Sequence, residues 1–208
     1  DIVGIASVER FGGAPRGWHP TDLLPGAKSV ISVGIRQIRS YMEKAPNSLY
    51  FMFGYRQRND HINQICWSLA RVLDQQSYYA LPIQASLEGT VFVDPNAQSQ
   101  RAEYLRRPRA RIRGSFSHVY AAVNAGLGQI GANGLLVTPR YGPRVHLASI
   151  ITTALLAPDP ILEEKLCDTA KCGLCIEQCP AKAISEEGDV DHILCVIALD
   201  KLSTGFDE

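Results

Sequence analysis

Several features that would assign this chain to a class at once are missing from it. It has no apolar run of eighteen residues, so no transmembrane helix is expected. Neither sign of charge is in excess, with 21 Lys and Arg against 21 Asp and Glu. That balance argues against nucleic acid as a partner, because such binding rests on neutralising phosphates. There is no internal repeat, no low-complexity tract and no recognisable signal peptide, although the chain opens at Asp1 rather than Met and a removed leader is left open. Cysteine is nearly absent for three quarters of the sequence: Cys66 stands alone, then five follow between positions 167 and 195. The 208 residues suit one ordinary domain with a small appendage. A chain of that size buries a real core and does not need cysteines as staples.

Five thiols packed at one end suggest thiolates gathered round a metal in a reducing compartment, hence a cytoplasmic protein rather than a disulfide-bonded secreted one. Cys66 lies in the apolar stretch Ile65-Cys66-Trp67 and is expected to be an inert core residue.

Along the chain, Asp1–Ser7 reads as a short buried strand and Ser29–Ile35 as a second, launched by the turn Pro25-Gly26. Residues 60–76 place apolar side chains at Ile62, Ile65, Cys66, Leu69, Val72 and Leu73, steps of three and four that make an amphipathic helix. Strand-like pieces follow at Ala80–Ser86 and Thr90–Val93. Residues 101–113 hold six arginines against Glu103 alone, which reads as a solvated loop or, functionally, as a clamp for phosphate. His118–Ala125 reads as helix. Leu135–Thr138 and Val145–Thr153 look like strands joined by a turn at Arg140-Tyr141-Gly142-Pro143. Composition changes at Ala157-Pro158-Asp159-Pro160, which divides the chain into a domain of residues 1–157 and a tail of residues 158–208.

The tail carries the chemistry. It reads Cys167-x4-Cys172-x2-Cys175-x3-Cys179-Pro180, then Cys195. From Cys172 through Pro180 this fits the last three cysteines of the bacterial ferredoxin run C-x2-C-x2-C-x3-C-P. Thiolates three residues apart on a tight turn reach neighbouring irons of one cube, and Gly173 relieves crowding where the backbone wraps it. Pro180 turns the chain away, and Ala181–Ile184 is expected to start a short helix. A strict match needs its first cysteine at Thr169, whereas Cys167 precedes it by two. The plant-type [2Fe–2S] spacing C-x4-C-x2-C fits Cys167, Cys172 and Cys175 literally. The Cys179-Pro180 pair favours a [4Fe–4S] cube. A structural zinc site is the plain alternative, disfavoured because zinc ligands usually come as two spaced pairs. Five cysteines exceed one cube's four ligands. Cys179 and Cys195 are therefore expected to be half of a second cluster site, completed by residues beyond Glu208.

A formal G-x-G-x-x-G, Gly126-Leu127-Gly128-Gln129-Ile130-Gly131, is followed by Ala132-Asn133-Gly134. A dinucleotide fingerprint needs a strand before it and a helix after it. Here the order is reversed, so these glycines are expected to admit a close backbone approach or a sharp turn rather than NAD.

The run Ala125–Gly134, then Leu135-Leu-Val-Thr-Pro-Arg-Tyr-Gly-Pro-Arg144, Ile150–Pro160 and the cysteines resembles epoxyqueuosine reductases and reductive dehalogenases, which are cobalamin-dependent iron–sulfur enzymes. Ile2–Ile5 and Leu24–Val33 fit the reductase pattern too. The resemblance implies an α/β (α+β) fold, with a nitroreductase-like, corrinoid-binding domain followed by a small ferredoxin-like iron–sulfur domain. It implies an oxidoreductase whose cluster cysteines are Cys167, Cys172, Cys175, Cys179 and Cys195, fed by a donor such as ferredoxin or flavodoxin. Its cobalamin, held base-off because no D-x-H-x-x-G motif is present, would lie against Gly126, Gly128, Gly131 and Asn133 and reduce a small organic or nucleoside substrate. The reductases' aspartate proton donor falls at Ile112 here, leaving Asp94 as a substitute candidate. The reductases' C-terminal helical repeats and the dehalogenases' twin-arginine leader are absent from these residues. The alternative is a non-catalytic [4Fe–4S] electron-transfer protein that binds no corrinoid.

Overall fold

The computed structural model of the chain describes residues 1–15, 17–43, 50–86, 116–192, 194, 195 and 198. The strand expected at 90–93, Asp94, Ile112 and the arginines of 101–113 lie outside the described residues.

The centre is a four-stranded, wholly antiparallel sheet in the order β1-β2-β6-β3, formed by β1 (Ile2–Ser7), β2 (Ser29–Arg36), β6 (Val145–Thr152) and β3 (Ala80–Ile83). β2 and β6 are central, and β2 is buried at every position but Arg36. A strand covered on both faces needs no alternation, so Ser-Val-Ile-Ser-Val-Gly-Ile reads as one apolar run.

One face of the sheet carries the long helix α3 (Arg56–Gln75), which follows the short helices α1 (Pro20–Leu23) and α2 (Arg39–Met42). Ile62, Cys66 and Ala70, spaced by four, pack on Ile31, Val33, Ile35, Ala148 and Ile150. The other face is closed by α4 (His118–Asn124), whose Ala121, with Ala125 just beyond, meets Ala6, Val30 and Ile151. Odd and even residues of β2 thus serve opposite layers, as the period of two requires. Cys66 is 1% exposed and burial pushes its thiol up to about 11, as an inert core position should behave.

Two expectations change. β1 is an edge strand rather than a buried one: Val3 is 62% exposed. Its free edge is met by Asp159, whose Oδ2 accepts the Ile5 N–H at 2.8 Å and whose N–H donates to Ile5 O at 2.9 Å. The two short strands β4 (Gln129–Ile130) and β5 (Leu136–Val137) pair with each other, so β5 is not the hairpin partner of β6. Thr138 instead closes a tight loop onto Gly142, with N···O distances of 2.9 and 3.0 Å.

Two imidazoles sit inside this sandwich. His118 Nδ1 lies 2.9 Å from Ser149 Oγ and its Nε2 lies 2.9 Å from Gln84 O. His146 Nε2 hydrogen-bonds to Asn59 Oδ1 of α3. Burial lowers both rings. His146 falls from 6.5 to about 3, burial acting first, then the Arg58 guanidinium and His118. The unfolded chain therefore binds more protons than the native one between about pH 6.5 and 3, so stability is complete above that window and is lost as pH falls through it. Going from pH 7 to pH 5 should cost about 2 kcal/mol from His146 alone. Urea titrations at the two pH values measure this, and His146→Gln should flatten the difference. An unchanged slope in that variant would show that His146 is protonated in the native protein.

Candidate functional site

The glycine run begins as a helix stop. Ser117 caps the start of α4, its Oγ accepting the Tyr120 N–H at 3.4 Å. At the other end Gly126 adopts φ +74°, and two reverse hydrogen bonds close the helix, Gly126 N–H to Val123 O and Leu127 N–H to Ala122 O, both 2.9 Å. This is a Schellman arrangement, whose left-handed position favours glycine. Gly131 N–H then donates to Leu135 O and Gly134 N–H to Gly131 O, both at 2.9 Å, so the remaining glycines turn a small β4–β5 hairpin. Asn133 Oδ1 accepts the Leu135 N–H at 3.1 Å inside that turn. The formal G-x-G-x-x-G is thus a helix terminus followed by a hairpin, with no strand-to-helix phosphate loop.

The glycines make room for the chain itself. A Cβ on Gly126 would lie 2.0 Å from Pro160 O, and one on Gly128 would lie 2.1 Å from Val137 O. At Gly131 the nearest atom would be Val137 Cγ2, at 2.7 Å. The hairpin in turn holds the cysteine tail. Gln129 Oε1 accepts the Leu166 N–H at 2.8 Å, and the Ala132 N–H lies on Cys167 Sγ at 3.4 Å. Further along, Gly188 passes Ala132 so closely that a Cβ there would be 3.2 Å from Ala132 Cα. Gln129 and Ala132 were not legible as tail-holding residues; a polar side chain inside a glycine run was the only signal.

Around the first cysteines the backbone is mostly turns. Asp168 O accepts the N–H groups of Lys171 and Cys172, at 3.1 and 2.9 Å, and its carboxylate sits 3.5 and 3.6 Å from the Lys165 and Lys171 ammonium groups. Gly173 then opens the single-turn helix α5 (Leu174–Glu177), which carries Cys175. The helix expected at Ala181–Ile184 does not form. Lys182 takes φ +49°, which no right-handed helix accepts, and Ile184 pairs instead with Val190. The same sharp turn brings backbone N–H groups onto Cys179: Ala183 donates to its Sγ at 3.3 Å, and this bond holds the thiol below its usual range. Cys195 is pushed the other way, by burial first and then by the charge of Cys179.

All six cysteines are free thiols. As a donor set the five of the tail fit an iron–sulfur cluster: unpaired sulfurs closely spaced along the chain, two of them already accepting a backbone N–H, which at Cys179 favours the thiolate. Among the described residues no three His, Cys, Asp or Glu side chains are gathered tightly enough to hold a metal ion. Nor is any helix among them long and apolar enough to cross a membrane.

No family model matches the chain. Two sets of relatives do. A tetrachloroethene reductive dehalogenase of Desulfitobacterium hafniense is 45% identical over 69 residues, which is 33% of this chain and 12% of that protein. An epoxyqueuosine reductase of Bacillus cereus is 26% identical over 187 residues, 87% of this chain and 42% of the enzyme. Among solved structures, an epoxyqueuosine reductase bound to a tRNA-Tyr stem loop superposes with a TM-score of 0.60 at 19% identity, covering 91% of this chain and 50% of that one. A reductive dehalogenase whose structure suggested a mechanism for B12-dependent dehalogenation superposes with a TM-score of 0.67 at 19% identity, covering 94% and 26%. The chain is homologous in sequence to both groups, shares their mixed α/β fold, and spans less than half the length of either relative. Its homologues are oxidoreductases.

Proposed function

We propose that the chain is the electron-handling part of a reductase, in which residues 158–208 form a ferredoxin-like iron–sulfur unit docked on a nitroreductase-like domain of residues 1–157. Cys167, Cys172, Cys175, Cys179 and Cys195 are the ligands, enough for one [4Fe–4S] cluster and the start of a second. A bound cluster supplies one-electron transfer at a potential set by its surroundings. The observation that carries the reading is the Ala132 N–H on Cys167 Sγ, which ties a candidate ligand sulfur to the hairpin of the homologous fold. The protein's own contribution is then positional. Gln129 and Ala132 tie the tail to the hairpin, and the Ala183 N–H on the sulfur of Cys179 favours its thiolate form.

A corrinoid as electron acceptor is supported by the B12-dependent neighbour and less by the local geometry. The described residues do not form a macrocycle floor at Gly126 and Gly128, because Pro160 O and Val137 O fill the space beside them. Gly131 and Asn133 stay in the proposal as contacts, and no step is routed through such a group. The substrate, a small organic molecule or nucleoside, the ferredoxin- or flavodoxin-like donor and a cytoplasmic location belong to the same proposal. The sequence argument against nucleic acid is not carried forward, since one neighbour was solved with a tRNA stem loop.

Anaerobic purification of the full-length gene product with iron, sulfide and cobalt analysis tests this. About four irons per cube and a brown protein are expected. A colourless protein that takes up no iron on reconstitution would end the reading. Iron without any cobalamin binding in a titration under reducing conditions would select the electron-carrier alternative instead.

A further inference from the structure

At the end of the sheet opposite Thr152, where β2 finishes at Arg36 and β6 begins at Val145, the chain builds a second kind of site. Arg36, Gln37, Arg39, Arg140, Tyr141 and Arg144 line a cavity of about 400 Å³. None of them belongs to the glycine run or the cysteine tail. We propose that this cavity binds a phosphate group, free or carried on a small organic molecule.

The charge there is only partly offset. Glu43 pairs with Arg39, Oε1 to Nε at 2.6 Å, and the Asp1 carboxylate accepts the Arg36 backbone N–H at 3.3 Å. Arg140 and Arg144 have no carboxylate partner among the described residues. Arg140 and Arg144, without a carboxylate partner among the described residues, beside Arg36 and the Glu43-paired Arg39, exceed what a carboxylate monoanion needs and match a phosphate dianion, whose oxygens fit the guanidinium fork in pairs.

The site is also held in shape. Tyr141 N–H donates to Thr138 Oγ1 at 3.1 Å, and Thr138 Oγ1 donates to Gly142 O at 3.1 Å. Arg144 O accepts the Gln37 N–H at 2.9 Å, tying the 138–144 loop to the end of β2. Behind the cavity, Arg58 stands over the Tyr50 and Tyr55 rings, 5.8 and 5.1 Å from their centroids, and donates to Gln37 Oε1. That bond leaves the Gln37 amide nitrogen as the group it offers a ligand. The Arg58 Nε is buried without a hydrogen-bond partner, so further positive charge backs the site. The volume exceeds a bare phosphate and lies in the range of small-ligand pockets, and Tyr141, stacked 5.2 Å from Arg140, offers a flat surface to an attached ring.

Isothermal titration of the full chain with adenosine 5′-phosphate, inorganic phosphate and adenosine tests the assignment. Adenosine 5′-phosphate should bind at least about tenfold more tightly than adenosine, and more weakly as salt rises. The R140A/R144A double variant should lose at least about tenfold in affinity with iron content and melting temperature unchanged, both residues being exposed. Arg140→Lys, which keeps the charge and loses the fork, should weaken binding less than Arg140→Ala. Inorganic phosphate binding as tightly as the nucleotide assigns the site to free phosphate; tighter nucleotide binding assigns it to a carried one. Equal affinity for adenosine and its phosphate, full affinity in the double variant, or binding of an RNA stem loop that neither small phosphate displaces would each overturn the proposal.

Discussion

Gly126→Ala should unseat the cysteine tail from the α/β domain. Two costs fall on one residue. The left-handed conformation at φ +74° costs a residue with a side chain about 1–2 kcal/mol. The new Cβ would also stand 2.0 Å from Pro160 O, a backbone atom that cannot swing aside. Because Asp159 is bonded to both the N–H and the carbonyl of Ile5, relief requires that segment to leave the edge of β1. A destabilisation of about 4 kcal/mol or more is expected, at the far end of what single substitutions do. Proteolysis newly concentrated near residues 157–161, with a lowered urea midpoint, is the pattern to look for. Gly128→Ala meets Val137 O at 2.1 Å and should behave similarly, while Gly13→Ala, with nothing within 4 Å, should be close to neutral. A Gly126→Ala protein within about 1 kcal/mol of the parent would show that the tail does not dock as described.

This contrast shows what could be read ahead of the structure. Glycines at 126, 128 and 131 announced a close approach, and a helix before them with a strand after them ruled out a phosphate loop, all from order alone. The approaching partner was not legible, because Pro160 and Val137 reach those glycines through tertiary packing and leave no local pattern. The continuous run of β2 and the helical steps at Ile62, Ile65, Cys66 and Leu73 were plain, but Leu69 and Val72, read on the same apolar face, are 38% and 56% exposed, because the sheet covers a narrower stripe of α3 than the sequence offers. β1 was misjudged since an apolar sequence does not reveal which strand ends up at the edge. The hairpin partner of β5 was missed for the same reason: two-residue strands are chosen by turn geometry, not by propensity. Ala181–Ile184 has helix-forming residues, yet Lys182 at φ +49° breaks it, because the chain must turn there to aim its N–H groups at Cys179. The arginines at 36, 39, 140 and 144 are far apart in sequence and meet only where β2 ends and β6 begins.

Cys172→Ser and Cys175→Ser should each abolish the brown colour, and this is the largest effect expected for the site. A serine oxygen is a poor substitute for thiolate sulfur toward iron, and a cube that loses one of its protein ligands is exposed to solvent and oxidation. Cys172 is exposed and Cys175 half-buried on a single-turn helix, so neither substitution removes a core side chain; folding of the α/β domain should survive both. Cys66→Ser is the control from the opposite environment. It puts a hydroxyl into the core under α3 and should cost about 1–3 kcal/mol while iron and sulfide stay at the parent level. Cys195→Ser separates the cluster arrangements: if Cys179 and Cys195 serve a second site, half the iron should remain in the full-length protein, whereas in a protein with one cube all of it remains if Cys195 is the spare fifth cysteine and none if Cys195 is a ligand. Iron and acid-labile sulfide per chain, measured beside the visible absorbance that gives the brown colour, decide each case. Full iron in either the Cys172 or the Cys175 variant would remove that residue from the ligand set, and loss of iron in Cys66→Ser would place a ligand where the fold puts only hydrocarbon.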